Sequence, residues 1–349
     1  MSLQAEQLMR KALELATLGW PRVAPNPMVG ALVVHQGKIV SQGYHKQYGE
    51  AHAEVMAITY IPADIDPREC ELFVSLEPCS HQGKTPPCAD LIISRGIKKV
   101  WIAAGDPNPL VAGRGIEKLR RAGVEIEFGL LEKESRNLNR RFYTFHEKKR
   151  PFIQLKWAQS ADGYISRLPA PQNRENNLIS GPEAQRFAHK LRAENMAVLV
   201  GKQTVLTDNP ALNTRLVSGK SPLRVFIDRN LEVPGHYKVY DKQVKTLVFN
   251  EKNESLNKRL TYIRLDFGQN ILPQMLDRLH RLGVQSLLVE GGTFTINAFL
   301  KAGLYDEVLM IRNPDLMLHK GLKAPDFDFT GLEPKYLGKD QLYKYSHLA

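Results

Sequence analysis

No stretch of this 349-residue chain approaches the 18 uninterrupted apolar residues of a bilayer span, and no basic segment leads into an apolar core and cleavage site at its start. The expectation is a soluble protein kept in the cytoplasm. Cysteine is scarce. Cys70, Cys79 and Cys88 are too few and too odd in number for a secreted disulfide framework, which leaves a reducing compartment and metal ligation for some of them. Low-complexity sequence is missing as well: 25 Gly and 21 Pro are an ordinary globular share, so collagen-like and wholly disordered classes are excluded. There is no polybasic arm beyond short clusters such as Lys148-Lys149-Arg150. The 48 Lys and Arg against 37 Asp and Glu, a net +11, therefore form a diffuse field that suits small phosphorylated ligands at least as well as a nucleic-acid duplex. No G-x-G-x-x-G follows a strand, so the standard dinucleotide fingerprint is absent too.

What is present is an alternation of helical and extended patterns, long enough for two domains with separate cores. Leu8, Ala12, Leu15 and Leu18 recur at helical spacing until Gly19 and Trp20-Pro21 stop the run. Val29 to Val34 and Lys38 to Gln42 read as a hairpin around Gln36-Gly37. Helical patterns at 53–60, 88–95 and 114–122 then alternate with β-rich runs at 71–75, 98–103 and 125–128, as in a layered α/β sheet. A helix over 132–147 ends at the charge run before Pro151, which sets the boundary between domains 1–147 and 151–349. Beyond it the pattern predicts strands at 152–160, 197–201, 223–228, 244–249 and 286–289, and helices at 182–194, 271–282 and from 293.

The strongest chemical signal is His52-Ala53-Glu54 followed by Pro78-Cys79 and Cys88. An imidazole and two thiolates suit a borderline-soft ion such as zinc, and three protein ligands leave one position for water, whose pKa the ion lowers toward neutrality. Glu54 then carries protons without binding metal, as in a zinc-activated deaminase. Residues two apart diverge in mid-helix, so His52 and Glu54 converge only where a helix begins, with Gly49 permitting the start. Cys70 lacks such a context and reads as packing. Eight residues separate Cys79 from Cys88, unlike the P-C-x-x-C of nucleic-acid deaminases, and that insert holds His81, Lys84 and Pro86-Pro87, fit for a sugar phosphate.

These residues, with Pro25-Asn26-Pro27-Met28-Val29-Gly30, Gly43-Tyr44-His45, Glu77-Pro78-Cys79-Ser80-His81, Thr85-Pro86-Pro87-Cys88 and Asp106-Pro107-Asn108-Pro109, resemble the bifunctional riboflavin-biosynthesis deaminase-reductase family. The resemblance implies a cytidine-deaminase-like three-layer α/β/α domain in which Asn26, His45, His81, Lys84, Asp106 and Asn108 contact the pyrimidine and phosphoribosyl parts of the substrate. It continues through Lys156 to Gly163, Ser180-Gly181-Pro182, Thr204 to Leu212, Arg215 and Val289 to Gly292, and so implies a dihydrofolate-reductase-like α/β domain using NADPH. In that half Ala158, Leu178, Thr204, Asp208, Gly291, Gly292, Thr293 and Phe294 fall on the cofactor side, Leu178 standing where some members carry Trp. Asn176, Arg192, Leu212, Arg215 and Glu290 face the substrate, and Lys156 lies near both. By residue type alone, Gly291-Gly292 before a helix allows close backbone approach to a pyrophosphate, Arg192 and Arg215 suit a phosphate, and Lys156 and Asp208 suit proton transfer.

The reading is an enzyme of riboflavin synthesis with Zn2+ and NADPH. It deaminates 2,5-diamino-6-(5-phosphoribosylamino)pyrimidin-4-one and then reduces the ribosyl group to ribityl. Its partner is this small phosphorylated pyrimidine, with no nucleic acid or membrane, and homo-oligomerisation is compatible with it. Two rivals stand beside it: a tRNA or nucleotide deaminase with an unrelated C-terminal extension, and a non-catalytic binding protein with a structural zinc. Scarce aromatic residues around the motifs argue against the first, and a site with three nameable ligands rather than four argues against the second.

Overall fold

The computed structural model describes residues 3–80, 86–109, 111–168 and 178–347. They form two compact units, Met1–Lys149 and Arg150–Ala349.

In the first unit, α1 (Leu3–Thr17) precedes a hairpin of β1 (Gly30–His35) and β2 (Lys38–Tyr44). Gln36 and Gly37 turn it, both at positive φ (49° and 75°), the mirror-image turn that matches strand twist. Then follow α2 (Ala53–Thr59), β3 (Cys70–Val74), α3 (Cys88–Ser94), β4 (Lys99–Ile102), α4 (Arg114–Arg121), β5 (Glu125–Phe128), α5 (Glu132–Leu138) and α6 (Arg140–Lys148). The strand order is β2-β1-β3-β4-β5, antiparallel on both sides of β1 and parallel from β3 onward. The unbroken apolar run in β1 has a direct cause: the strand is covered on both faces. Ala31 and Val33 pack with Ala53 and Ala57 of α2, Ala89 and Ile92 of α3 and Leu119 of α4. Leu32 and Val34, one residue out of phase, pack with Met9, Ala12 and Leu13 of α1. The result is a three-layer α/β/α sandwich. The single helix expected over 132–147 is two, interrupted at Asn139, whose side chain serves another bond described below.

The second unit is built on β6 (Phe152–Ser160), β7 (Tyr164–Arg167), α7 (Pro182–Glu194), β8 (Ala197–Gly201), α8 (Lys202–Asp208), β9 (Leu223–Ile227), β10 (Thr246–Asn250), β11 (Ser255–Leu256), β12 (Leu260–Arg264), α9 (Ile271–Arg281), β13 (Ser286–Val289), α10 (Thr293–Lys301), β14 (Glu307–Asn313), β15 (Gly321–Lys323), β16 (Lys335–Leu337) and β17 (Asp340–Ser346). Ten strands form one sheet in the order β11-β12-β10-β9-β8-β13-β6-β14-β17-β16, with β7 and β15 paired apart. Its centre, from β12 to β14, is parallel. Ile153, Leu155 and Trp157 of β6 join the core under α9 and α10. Val198 and Val200 of β8 pack on the opposite face with Ala184 and Leu191 of α7 and Val205 of α8. The carboxyl ends of β8 and β13 run directly into α8 and α10, the place where open α/β sheets receive ligands.

Candidate functional site

In the first unit His52 is the extended N-cap of α2 (φ −72°, ψ 162°) and Glu54 is the second helical residue, so the two side chains aim together rather than diverging. Gly49 just upstream has φ +87°, open to glycine at little cost. Cys88 opens α3, and its backbone N–H donates to Cys79 Sγ at 3.4 Å while Ala89 N donates to Cys79 O at 3.1 Å. His52 Nδ1 lies 3.3 Å from Cys88 Sγ and 3.6 Å from Cys79 Sγ, and the three donor atoms fall within 4.8 Å of one another. The hydrogen bond from Cys88, then that from His52, pulls the Cys79 thiol down to about 4, a thiolate poised for a cation. The same bond pushes Cys88 up, and the contact with Cys79 raises His52. One imidazole and two sulfurs at this spacing fit zinc, with one position left open. Burial pushes the Glu54 carboxyl above its usual range.

A cavity of about 270 Å³ opens over these groups, and Asn26, His45, Asp106 and Asn108 line it together with His52, Glu54 and Cys79. His45 is buried, and burial lowers its pKa, which favours the neutral ring. Its Nδ1 faces Ala51 O at 3.0 Å and must donate, leaving Nε2 to accept from Asn26 Nδ2 at 3.1 Å. The Asn26 carbonyl oxygen is thereby committed as an acceptor. Burial pushes Asp106 up to about 7. Cys70 is buried, its Sγ donating to Asp66 O at 3.6 Å, away from the cluster. Glu77 carries more than the motif indicated: its carboxylate accepts from the backbone N–H groups of Asp106, Gly113, Gly115 and Ile116, tying the Cys79 segment to the Asp106 loop. Tyr48, Val111 and Phe142 also line the cavity, and nothing local in the sequence marks them. His81 and Lys84 lie outside the described residues.

In the second unit Lys156 and Ala158 share one face of β6, and Thr204 and Asp208 one face of α8. Gly292 is the N-cap of α10 with no side-chain cap, and its N–H donates to Thr204 Oγ1 at 3.0 Å. A Cβ on Gly291 would sit 2.9 Å from the Thr295 Cβ, so the turn requires glycine. Thr293 Oγ1 bonds Lys323 O. Leu178 and Phe294 are exposed at 46% and 90%, the latter in the first turn of α10. An uncapped helix start behind two glycines, with an exposed apolar ring in its first turn, fits a dinucleotide.

Arg192 is buried and paired with Glu290, Nη2 at 2.5 Å and Nε at 3.1 Å from both oxygens, with Nη1 3.5 Å from Asn213 O. Of the two arginines expected at a phosphate, Arg192 thus turns Nε and Nη2 onto Glu290. Burial would push Glu290 up, but Arg192 and Lys156 hold it below the usual carboxylate range. Burial pulls the Lys156 ammonium down, opposed by Glu290. Arg215 is exposed, its N–H donating to His189 Nδ1 at 3.1 Å and its Nη1 to Asn213 Oδ1 at 3.0 Å. The Leu212 side chain packs in the core at 2% exposure, and its backbone at φ +47° turns the loop that carries Arg215. Asn176 lies outside the described residues.

Residues 2–104 match the family model of the cytidine and deoxycytidylate deaminase zinc-binding region, and residues 151–317 match the RibD C-terminal domain. The riboflavin biosynthesis protein RibD of Aquifex aeolicus is 42% identical over 93% of this chain and 91% of its own length. That of Bacillus amyloliquefaciens is 42% identical over 87% and 82%. The chain belongs to the RibD family. The crystal structure of a Thermotoga maritima diaminohydroxyphosphoribosylaminopyrimidine deaminase/5-amino-6-(5-phosphoribosylamino)uracil reductase covers 98% of both chains at 36% identity, with a TM-score of 0.85. As a RibD-family member this is a bifunctional enzyme of riboflavin biosynthesis with deaminase and reductase activities, and its two domains imply Zn2+ and NADPH. The RibD C-terminal domain also disposes of the rival in which the second half is an unrelated extension to a tRNA or nucleotide deaminase.

Proposed function

We propose that domain 1–147 hydrolyses the 2-amino group of 2,5-diamino-6-(5-phosphoribosylamino)pyrimidin-4-one and that domain 151–349 reduces the ribosyl side chain of the product to ribityl. The observation that carries the reading is the convergence of His52, Cys79, Cys88 and Glu54 in one cavity with Asn26, His45, Asp106 and Asn108. His52, Cys79 and Cys88 would hold zinc, which supplies a water of lowered pKa. Glu54 would accept a proton from the attacking water and return it to the departing amine, ammonia leaving as the carbon–oxygen bond forms and the carbon–nitrogen bond breaks. Asn26, whose Nδ2 donates to His45, offers its Oδ1 to a donor on the ring. Lys84 and His81 read the phosphate.

In the reductase, the α10 start together with Thr204, Asp208, Ala158 and Leu178 would hold NADPH, which would supply the hydride. Lys156 and Asp208 orient the opened sugar and deliver the proton that balances the hydride. Arg215 binds the substrate phosphate, while Arg192 holds Glu290 toward a sugar hydroxyl. Among the described residues no helix is long and apolar enough to cross a membrane, and we place the enzyme in the cytoplasm. The decisive experiment incubates the zinc-loaded protein with the phosphoribosyl pyrimidine and NADPH, following ammonia release and NADPH oxidation together. Both are expected, and absence of both sinks the reading.

A further inference from the structure

The zinc-binding region shared with other deaminases ends at residue 104, yet that region does not close the cavity. Asp106, Asn108, Val111 and Phe142 come from later in the chain. Phe142 is 7% exposed on α6, and its neighbours fix it. The ring of His146 lies edge-on with centroids 4.5 Å apart. One turn earlier, the buried Asn139 makes two bonds to one residue of the pocket loop: Met28 N donates to Asn139 Oδ1 at 2.8 Å, and Asn139 Nδ2 donates to Met28 O at 2.9 Å. This is the break between α5 and α6. Next to Phe142, Tyr143 OH donates to Gly105 O at 2.6 Å, just before Asp106. Helix α6 is thus tied to the Asn26 loop on one side and to the Asp106 loop on the other.

A flat heteroaromatic ring that turns one edge toward the zinc ligands must also cover its faces, and the polar groups of the cavity serve only its edges. Pro27, Val29, Tyr48, Leu76, Val111 and Phe142 supply the apolar lining. Two of them carry a ring of matching shape, but Tyr48 is 46% exposed whereas Phe142 is buried and held on α6, and ring-on-ring contact is sequence-tolerant yet strong. We propose that Phe142 is a specificity-determining residue of the deaminase, the wall against which the aminopyrimidine ring lies, with Asn139 as the positioning residue that holds it there. The inference rests on the deaminase reading above.

The test uses the full-length, zinc-loaded protein and its Phe142→Ala, Phe142→Leu and Asn139→Ala variants. Zinc content, deamination kcat and KM for the phosphorylated and dephosphorylated aminopyrimidines, and NADPH-dependent reduction of the deaminated product are measured. Zinc retention reports that the first unit is folded, and reduction, carried by the other unit, reports the same for the second. The expected result for Phe142→Ala is a rise in deamination KM of about tenfold or more, equal for the two substrates because the wall reads the ring and not the tail. Phe142→Leu shifts KM less, Asn139→Ala shifts it in the same direction, and zinc and reduction persist in all three. Should Phe142→Ala lose zinc, the leucine variant decides. Unchanged KM in the folded Phe142 variants, or an effect on the phosphorylated substrate alone, overturns the wall; a wild-type protein that releases no ammonia overturns the deaminase reading itself.

Discussion

Glu54 is buried beside three donor atoms that could hold a metal ion and is not one of that group. Glu54→Gln therefore keeps zinc but removes the proton carrier, a loss of about 10²- to 10⁴-fold in deamination. Metal analysis together with an ammonia assay checks both halves of that expectation. At the reductase site, Arg215→Ala should weaken binding of the phosphorylated substrate while NADPH affinity, measured by fluorescence titration, stays close to wild type. Comparable losses of both would mean that Arg215 serves the cofactor as well. The convergence of His52, Cys79 and Cys88 was legible because each residue type has narrow chemistry and helix starts can be read from Gly49 and Pro87. The Arg192–Glu290 pair was not: 98 residues separate them, and only the sheet brings α7 over the end of β13. Phe142 was invisible for a related reason, since a phenylalanine on a helix looks the same whether it faces a core or a cavity.

At the scale of elements, the position of α2 depends on how closely β2 lets it approach. A Cβ on Gly43 would lie 2.5 Å from Met56 Cβ, 2.6 Å from Ala53 O and 2.7 Å from Ala57 N, two of them helix backbone that cannot step aside. Gly43→Ala should push α2 outward, costing about 1–3 kcal/mol as overpacking does. His52 and Glu54 would be displaced with it. Deaminase activity is expected to be lost at a lower temperature than in the wild type, with the reductase inactivation temperature unchanged; parallel shifts in both would contradict a local effect. The hairpin of β1 and β2 could be read from its turn residues and its apolar run. The split between α5 and α6 could not, because Asn139 is tolerable inside a helix and its reason for breaking one is Met28, 111 residues away. The C-terminal strands β14 to β17 escaped notice for want of periodicity: β14 is a short apolar run in the sheet interior, and β15 and β16 are three residues each.

At the scale of the whole molecule, each unit carries its own core and its own cluster of chemical groups. The two activities should consequently fail independently. Supplied with the deaminated product, the Glu54→Gln protein is expected to oxidise NADPH at the wild-type rate, and supplied with the amino-pyrimidine it should stall; failure on both substrates in a folded, zinc-loaded protein would show that the halves are functionally coupled. The ten-stranded sheet of the second unit has a further consequence. An open sheet this wide ends in two rows of unsatisfied backbone donors and acceptors, an invitation to stray chains. Here the rows are cut short, to two residues in β11 and three in β16, and Lys335 stands on the latter. A passing strand would find too few partners there to dock, so the breadth that frames the reductase site is reached without making the protein a template for its own aggregation.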